Sequence, residues 1–195
     1  MHMPAVNSDG GFEKCPEGNH LAVCYEVIDL GTQESNWDGE IKRQHKIWIG
    51  WETASEQMED GRPYVIGRRY TFSSHEKSTL RKDLESWRGK KFSDEDIAKF
   101  DLKNLIGAAC FLNVVHSTKG DRTYANISTV AALPKGTTAP ELVNSKIFLS
   151  LDSDEYEPEM MNLVSDRMAE TIKASPEWQA LNAAEEGETA ETQPF

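Results

Sequence analysis

Between residues 21 and 133 the hydrophobic period changes in a fixed order: three stretches with the two-residue period of strands, one with the helical period, then two strand-like stretches again. Residues 21–30 (LAVCYEVIDL) set Leu21, Val23, Tyr25 and Val27 on one face. After a polar loop with Gly31, Asn36 and Gly39, residues 41–53 carry Ile47, Ile49 and Trp51 on a core face, with Lys42, Gln44, Lys46 and Trp48 on the other. The turn EDGRP (59–63) leads into residues 64–72 (YVIGRRYTF), rich in aromatic and β-branched side chains. Ser73 with Glu76 three residues later forms a capping box, Leu80, Leu84 and Trp87 recur at helical spacing, and Gly89 ends the helix after about four turns. A short second helix is predicted over 94–100, capped by Ser93. Residues 108–116 and 123–133 then form a hairpin around STKGDR.

Three strands, a helix and two strands is the order of the oligonucleotide-binding (OB) fold, a small Greek-key barrel that binds single strands across its second and third strands. The expected class is therefore mainly β (α+β): a five-stranded OB barrel over residues 20–136, with a helix between strands three and four. An N-terminal arm (1–19) precedes it. Residues 137–183 follow as a loop and a C-terminal helical segment. There, Pro158 opens a helix over 159–174 with Met161, Val164, Met168 and Ile172 in one stripe, and a second helical start at 175–177 carries Trp178 and Leu181. Residues 184–195 read as a disordered acidic tail.

The net charge of −12 argues against a polyanionic partner until its distribution is considered. Residues 1–40 hold one basic and eight acidic side chains, and residues 136–195 hold three and thirteen; residues 41–135 hold seventeen and twelve. The centre is basic and both arms are acidic, the pattern of an anion-binding body with repelling arms. Binding of single strands without sequence choice needs cations along the backbone path and flat rings for stacking, and both fall on the predicted strands. The candidate nucleic-acid residues are Lys42, Lys46 and Trp48 on strand two, Arg68, Arg69, Tyr70 and Phe72 on strand three, Lys90 and Lys91 at the helix end, and Lys119, Arg122 and Tyr124 on the last hairpin.

The stretches DLGTQES (29–35), DGRPYVIGRRYTFSSHEKSTLRKDLESWRGKKF (60–92) and FDLKNLIGAACFLNVVHSTKGDRTYANISTVAALPKG (100–136) resemble a family of small phage and prophage proteins. Members of that family are regarded as single-stranded DNA-binding proteins built on this barrel. The likeness covers about residues 20–136 and implies the fold and the ligand, not the role of any residue. Separately, the last eleven residues, EEGETAETQPF, resemble the C-terminal tip of bacterial single-stranded DNA-binding proteins, where acidic residues before a terminal Pro-Phe recruit replication and repair enzymes. That resemblance implies a partner hook made of Glu188, Glu191, Pro194 and Phe195, with the ring buried in an apolar pocket and the carboxylates on a basic rim. The acidic tail is also expected to compete with DNA for the basic groove.

No Walker loop, GxSxG elbow or HExxH pair occurs, so a non-enzymatic, cofactor-free protein is expected. Three cysteines without a CxxC pair read as reduced thiols, and no apolar run or signal-peptide pattern appears, so a soluble protein of the host-cell cytoplasm is expected, with no membrane partner. A homo-oligomer stays open. Two other classes stay open as well: an acidic DNA mimic that binds a host factor, and a metal-dependent nuclease using the acidic run Asp94–Asp96.

Overall fold

A computed structural model of the chain describes residues 13–191. Its elements run β1 (Gly18–Trp37), β2 (Glu40–Gln57), β3 (Pro63–Thr71), α1 (Thr79–Arg88), α2 (Asp94–Ala98), a 3₁₀ turn (Leu102–Leu105), β4 (Ala109–Lys119), β5 (Arg122–Ala131), β6 (Ile147–Leu149), a second 3₁₀ turn (Pro158–Asn162), α3 (Asp166–Lys173) and α4 (Pro176–Glu191). The strands form one mainly antiparallel sheet in the order β3-β2-β1-β4-β5, and β6 adds to β1 in parallel at Glu26–Ile28. β1 is central because it changes partner along its length: Gly18–Val23 pairs with β4, and Ala22–Trp37 pairs with β2. Among the described residues no ladder joins β3 to β5; α1 lies against both. The expected closed five-stranded barrel is thus an open six-stranded sheet, and the helix expected between strands three and four bridges the two edges.

The inner face wraps one core that takes side chains from β1 to β5 and from α1, with Trp51, Leu112 and Cys110 fully buried and the Trp51 and Trp87 rings 5.6 Å apart. In β1 the expected inward face is inverted at its start. Ala22 and Cys24 face this core, not Leu21, Val23 and Tyr25, and a register shift between Cys24 and Glu26 brings Val27 back inward. A bulge adds one residue to the strand and so exchanges the two faces, which a strict two-residue period does not anticipate. The three cysteines are unpaired and buried.

Helix α1 begins later than the capping box implied. Ser73 Oγ accepts from His75 N–H in a local turn, and Ser78 is the N-cap, its Oγ accepting from Arg81 N–H at 3.2 Å. The helix has ten residues, about three turns, and Gly89 closes it in the left-handed conformation (φ 70°), where a side chain would be strained.

A second core lies on the outer face of the sheet. Ile28 and Leu30 of β1 pack there with Ile147, Leu149, Leu151, Val164 and Ile172. The helix expected over 159–174 is interrupted: Pro158–Asn162 is a 3₁₀ turn and α3 starts after Ser165, so that Val164 can turn into this core. The stripe of Met161, Val164, Met168 and Ile172 packs as read. β6 was not expected; three residues carry no period, and they are extended because the free edge of β1 pairs with them. The tail expected to be disordered from residue 184 continues as α4 through Glu191, which places Glu188 and Glu191 on that helix, while Pro194 and Phe195 lie outside the described residues. No described helix is long and apolar enough to cross a membrane.

Candidate nucleic-acid interface

The antiparallel register of β2 and β3 pairs Lys46 with Thr71 and Trp48 with Arg69, so these four side chains share the outer face of the hairpin. Lys46 Nζ donates to Gln44 Oε1 at 2.8 Å and to Thr71 Oγ1 at 2.7 Å, both neutral acceptors. Arg69 beside it is exposed. Partial burial, and then the neighbouring Arg69 charge, hold the Lys46 ammonium below its ordinary pKa. Among the described residues no carboxylate forms an ion pair with Lys46 or Arg69. The two cations open onto a cleft of about 470 Å³ that continues past Gln44 and Thr71 to His75, Lys77 and the N-terminus of α1.

The remaining expected residues divide by what they touch. Arg68 and Tyr70 are structural: Arg68 Nη1 and the Tyr70 hydroxyl both donate to Asp83 Oδ2, at 2.9 and 2.8 Å, and the guanidinium lies 5.4 Å from the Tyr70 ring centre. Tyr70 is only 3% exposed, and burial, then Asp83, push its hydroxyl pKa well up. It faces inward because it is in phase with Ile66 of the core, so it offers no face to a base; together the pair ties β3 to α1. Trp48 is half-buried against the second core, its Nε1 donates to Glu26 Oε1 at 2.7 Å, and its ring occupies the space a side chain at Gly67 would need. Burial raises the Glu26 carboxyl pKa, with the bonds from Trp48 and Tyr25 opposing.

Phe72 follows β3 half in solvent, with its ring tilted against His45 at 5.4 Å. Lys42 is exposed on the arm that β1 and β2 form beyond Gly31. Lys119, Arg122 and Tyr124 sit at the tip of the β4–β5 hairpin, which leaves the sheet beyond the first residue of β1, away from that arm. Lys90 and Lys91 are exposed but follow Gly89. The length of α1, about 15 Å, separates them from the cleft at its other end. The fold therefore brings Lys46 and Arg69 together at the cleft with Lys77 and the Asp83-paired Arg68, with Phe72 at its border, and places Lys42, Lys90, Lys91, Lys119 and Arg122 away from it.

Thr71, His75 and Lys77 are not candidates from the sequence, and Gln44 is placed there only on the face of strand two that carries Lys42 and Lys46. His75 and Lys77 lie in the β3–α1 connection, and only the docking of α1 brings them to the cleft.

At the base of the arm, His45 stands between two carboxylates. Its Nε2 lies 2.6 Å from Asp29 Oδ1 and its Nδ1 lies 3.6 Å from Glu177 Oε1. Glu177, in the first turn of α4, also accepts from Thr32 N–H at 2.8 Å and Thr32 Oγ1 at 2.6 Å, and so covers the edge of β1 that no strand occupies. Among the described residues no group of three or more His, Cys, Asp or Glu side chains is placed to hold a metal ion. No family model matches the chain, and no curated protein matches it significantly.

Proposed function

We propose that the chain binds single-stranded DNA along the outer face of β2 and β3, as a small phage-type protein that coats exposed strands during replication or recombination. The observation that carries this reading is the adjacent pair Lys46 and Arg69, bonded to neutral groups or to none, at a cleft in a protein whose net charge is −12. Where acidic side chains are in such excess, an unneutralised pair of cations in a concavity favours an external anion. Phosphate groups fill that role, and their binding releases the counterions condensed on the strand. The strand order supports the same reading, since β3-β2-β1-β4-β5 with α1 between the edges is the order an OB barrel would have if it were opened between its third and fifth strands. Lys42, on the same strand as Lys46, extends the path along the arm. Glu188, Glu191, Pro194 and Phe195 hook replication or repair proteins.

Fluorescence anisotropy of a labelled oligonucleotide at rising salt tests the proposal. Affinity falls with a log–log slope of about −0.7 per phosphate contact, and the double variant Lys46→Ala, Arg69→Ala makes that slope shallower by about 1.4. Salt-independent binding, or an unchanged slope in the double variant, refutes the site. Duplex and RNA competitors and a lane with Mg²⁺ separate strand coating from a nuclease, which would consume the probe, and from a DNA mimic, which would ignore it.

A further inference from the structure

At the end of the sheet where the β1–β2 arm leaves, side chains do not fill the mouth of the core. A cavity of about 400 Å³ opens there, within the range of small-molecule sites. Its floor is the last layer of the core, Val27 and Ile47, and its walls include three phenylalanine rings from separate elements: Phe72 after β3, Phe100 after α2 and Phe148 of β6. Asp29, Asp101 and Glu155 reach the same cavity. The cation in its lining, Lys99, is bonded to Glu95 at 2.6 Å.

Several of these groups do little for the fold. Phe72 is 52% exposed, and its backbone N–H to His45 O at 2.8 Å and the His45 ring fix it from one side only. Asp101 uses Oδ1 to accept from Lys103 N–H at 2.8 Å, which leaves Oδ2 for another donor. Among the described residues neither Asp101 nor Glu155 forms an ion pair. Aromatic walls with carboxylates select a flat ring that donates hydrogen bonds. Cytosine, adenine and guanine carry an exocyclic amino donor, whereas thymine has none, and its single ring donor, N3–H, lies between two carbonyl oxygens that repel a carboxylate. The position fits as well: Thr71 and Ser73 line the Lys46–Arg69 cleft and the intervening Phe72 lines the mouth, so the two concavities adjoin across one residue of chain.

We infer that this mouth is a base pocket: an unstacked base with an exocyclic amino group stacks on Phe72 and donates to Asp101 or Glu155, which makes the protein prefer cytosine, adenine or guanine over thymine at that position. The inference rests on the strand-binding reading for how the base arrives.

Anisotropy with oligo-dC and oligo-dT tests it. The wild type binds oligo-dC about tenfold more tightly, the difference one hydrogen bond to a charged acceptor makes. The double variant Asp101→Asn, Glu155→Gln, in which asparagine keeps the cap on Lys103, brings the two affinities together, at a level raised for both strands by the loss of two negative charges. Equal wild-type affinities, or a preference that survives in the double variant, overturn the pocket. If neither oligonucleotide binds, the strand-binding reading fails by itself, and ¹H–¹⁵N spectra with free nucleosides decide the pocket. Shifts at Phe72 and Asp101 with deoxycytidine and not with thymidine uphold it; equal shifts, or none, overturn it.

Discussion

Replacing Glu177 with alanine removes two hydrogen bonds at one point, and the loss can be read at a single amide. Thr32 N–H lies on the part of β1 that neither β4 nor β6 pairs, and the Glu177 carboxylate is its partner. A partly buried donor left without a partner costs about 1 to 3 kcal/mol, while the Thr32 hydroxyl can turn to water at little cost. Glu177 and His45 each keep 29% of their side-chain surface, so solvent reduces their mutual attraction to a few tenths of a kcal/mol. The expected loss for Glu177→Ala is about 2 kcal/mol; Glu177→Gln retains one acceptor and loses about half as much.

The pH dependence has a definite sign. Both ring nitrogens of His45 face carboxylates, so both act as donors only in the imidazolium. The hydrogen bond to Asp29 raises the His45 pKa above 6.5, against burial, and the charges of Asp29 and Glu177 add to the rise. The stability this provides is complete below pH 6.5 and disappears as pH climbs through the raised value. Burial opposes ionisation of Glu177, but the Thr32 bonds outweigh it and hold its pKa below 4.5, so its contribution is present above pH 4.5 and disappears as pH falls through the lowered value. The contact is strongest between those limits. Urea unfolding across this range, with the slope unchanged between variants, gives the free energies, and hydrogen exchange at Thr32 gives the site. Equal Thr32 exchange in wild type and Glu177→Ala, together with an alkaline stability profile that His45→Gln leaves unaltered, would show that neither contact holds this edge of β1.

Two further substitutions test how the outer face is built. Gly67→Ala places a methyl where the Trp48 ring lies, and overpacking of this kind costs about 1 to 3 kcal/mol; a thermal melt should show the loss, and Trp48 fluorescence should change with it. Glu52, 2% exposed, accepts from Val143 N–H at 2.5 Å, Asn144 N–H at 2.8 Å and Asn144 Nδ2 at 2.6 Å, and so fixes the connection between β5 and β6. Glu52→Ala should destabilise by about 3 kcal/mol, with amide exchange rising first at residues 143 and 144; protection retained there would show that the connection is held by other means.

Much of the architecture was legible because each element has its own period and stop signals. Strands two to five, α1 with its glycine end, and the apolar stripe of the C-terminal segment all follow from spacing that a helix or strand imposes on its own residues. The misses share a cause. The inverted start of β1 depends on a bulge, β6 on an edge left free by β1, and the break at Leu163–Ser165 on a second core to which Val164 must turn. Each is decided by a partner distant in the chain, which periodicity does not record.

The candidate site divides in the same way. Alternation along one strand placed Lys42, Lys46 and Trp48 on a common face, and composition located the basic centre. Whether a ring or a cation on those strands is free is a property of what packs against it. Asp83 of α1 takes Arg68 and Tyr70 out of play, Glu26 and the second core hold Trp48, and Lys46 and Arg69 are left together without a carboxylate. The order of elements and the basic centre follow from local sterics and charge, which are written residue by residue. The open sheet edge, the cleft, the aromatic mouth and the His45 contact arise where side chains from non-neighbouring strands and helices meet, and so exist only in the folded chain.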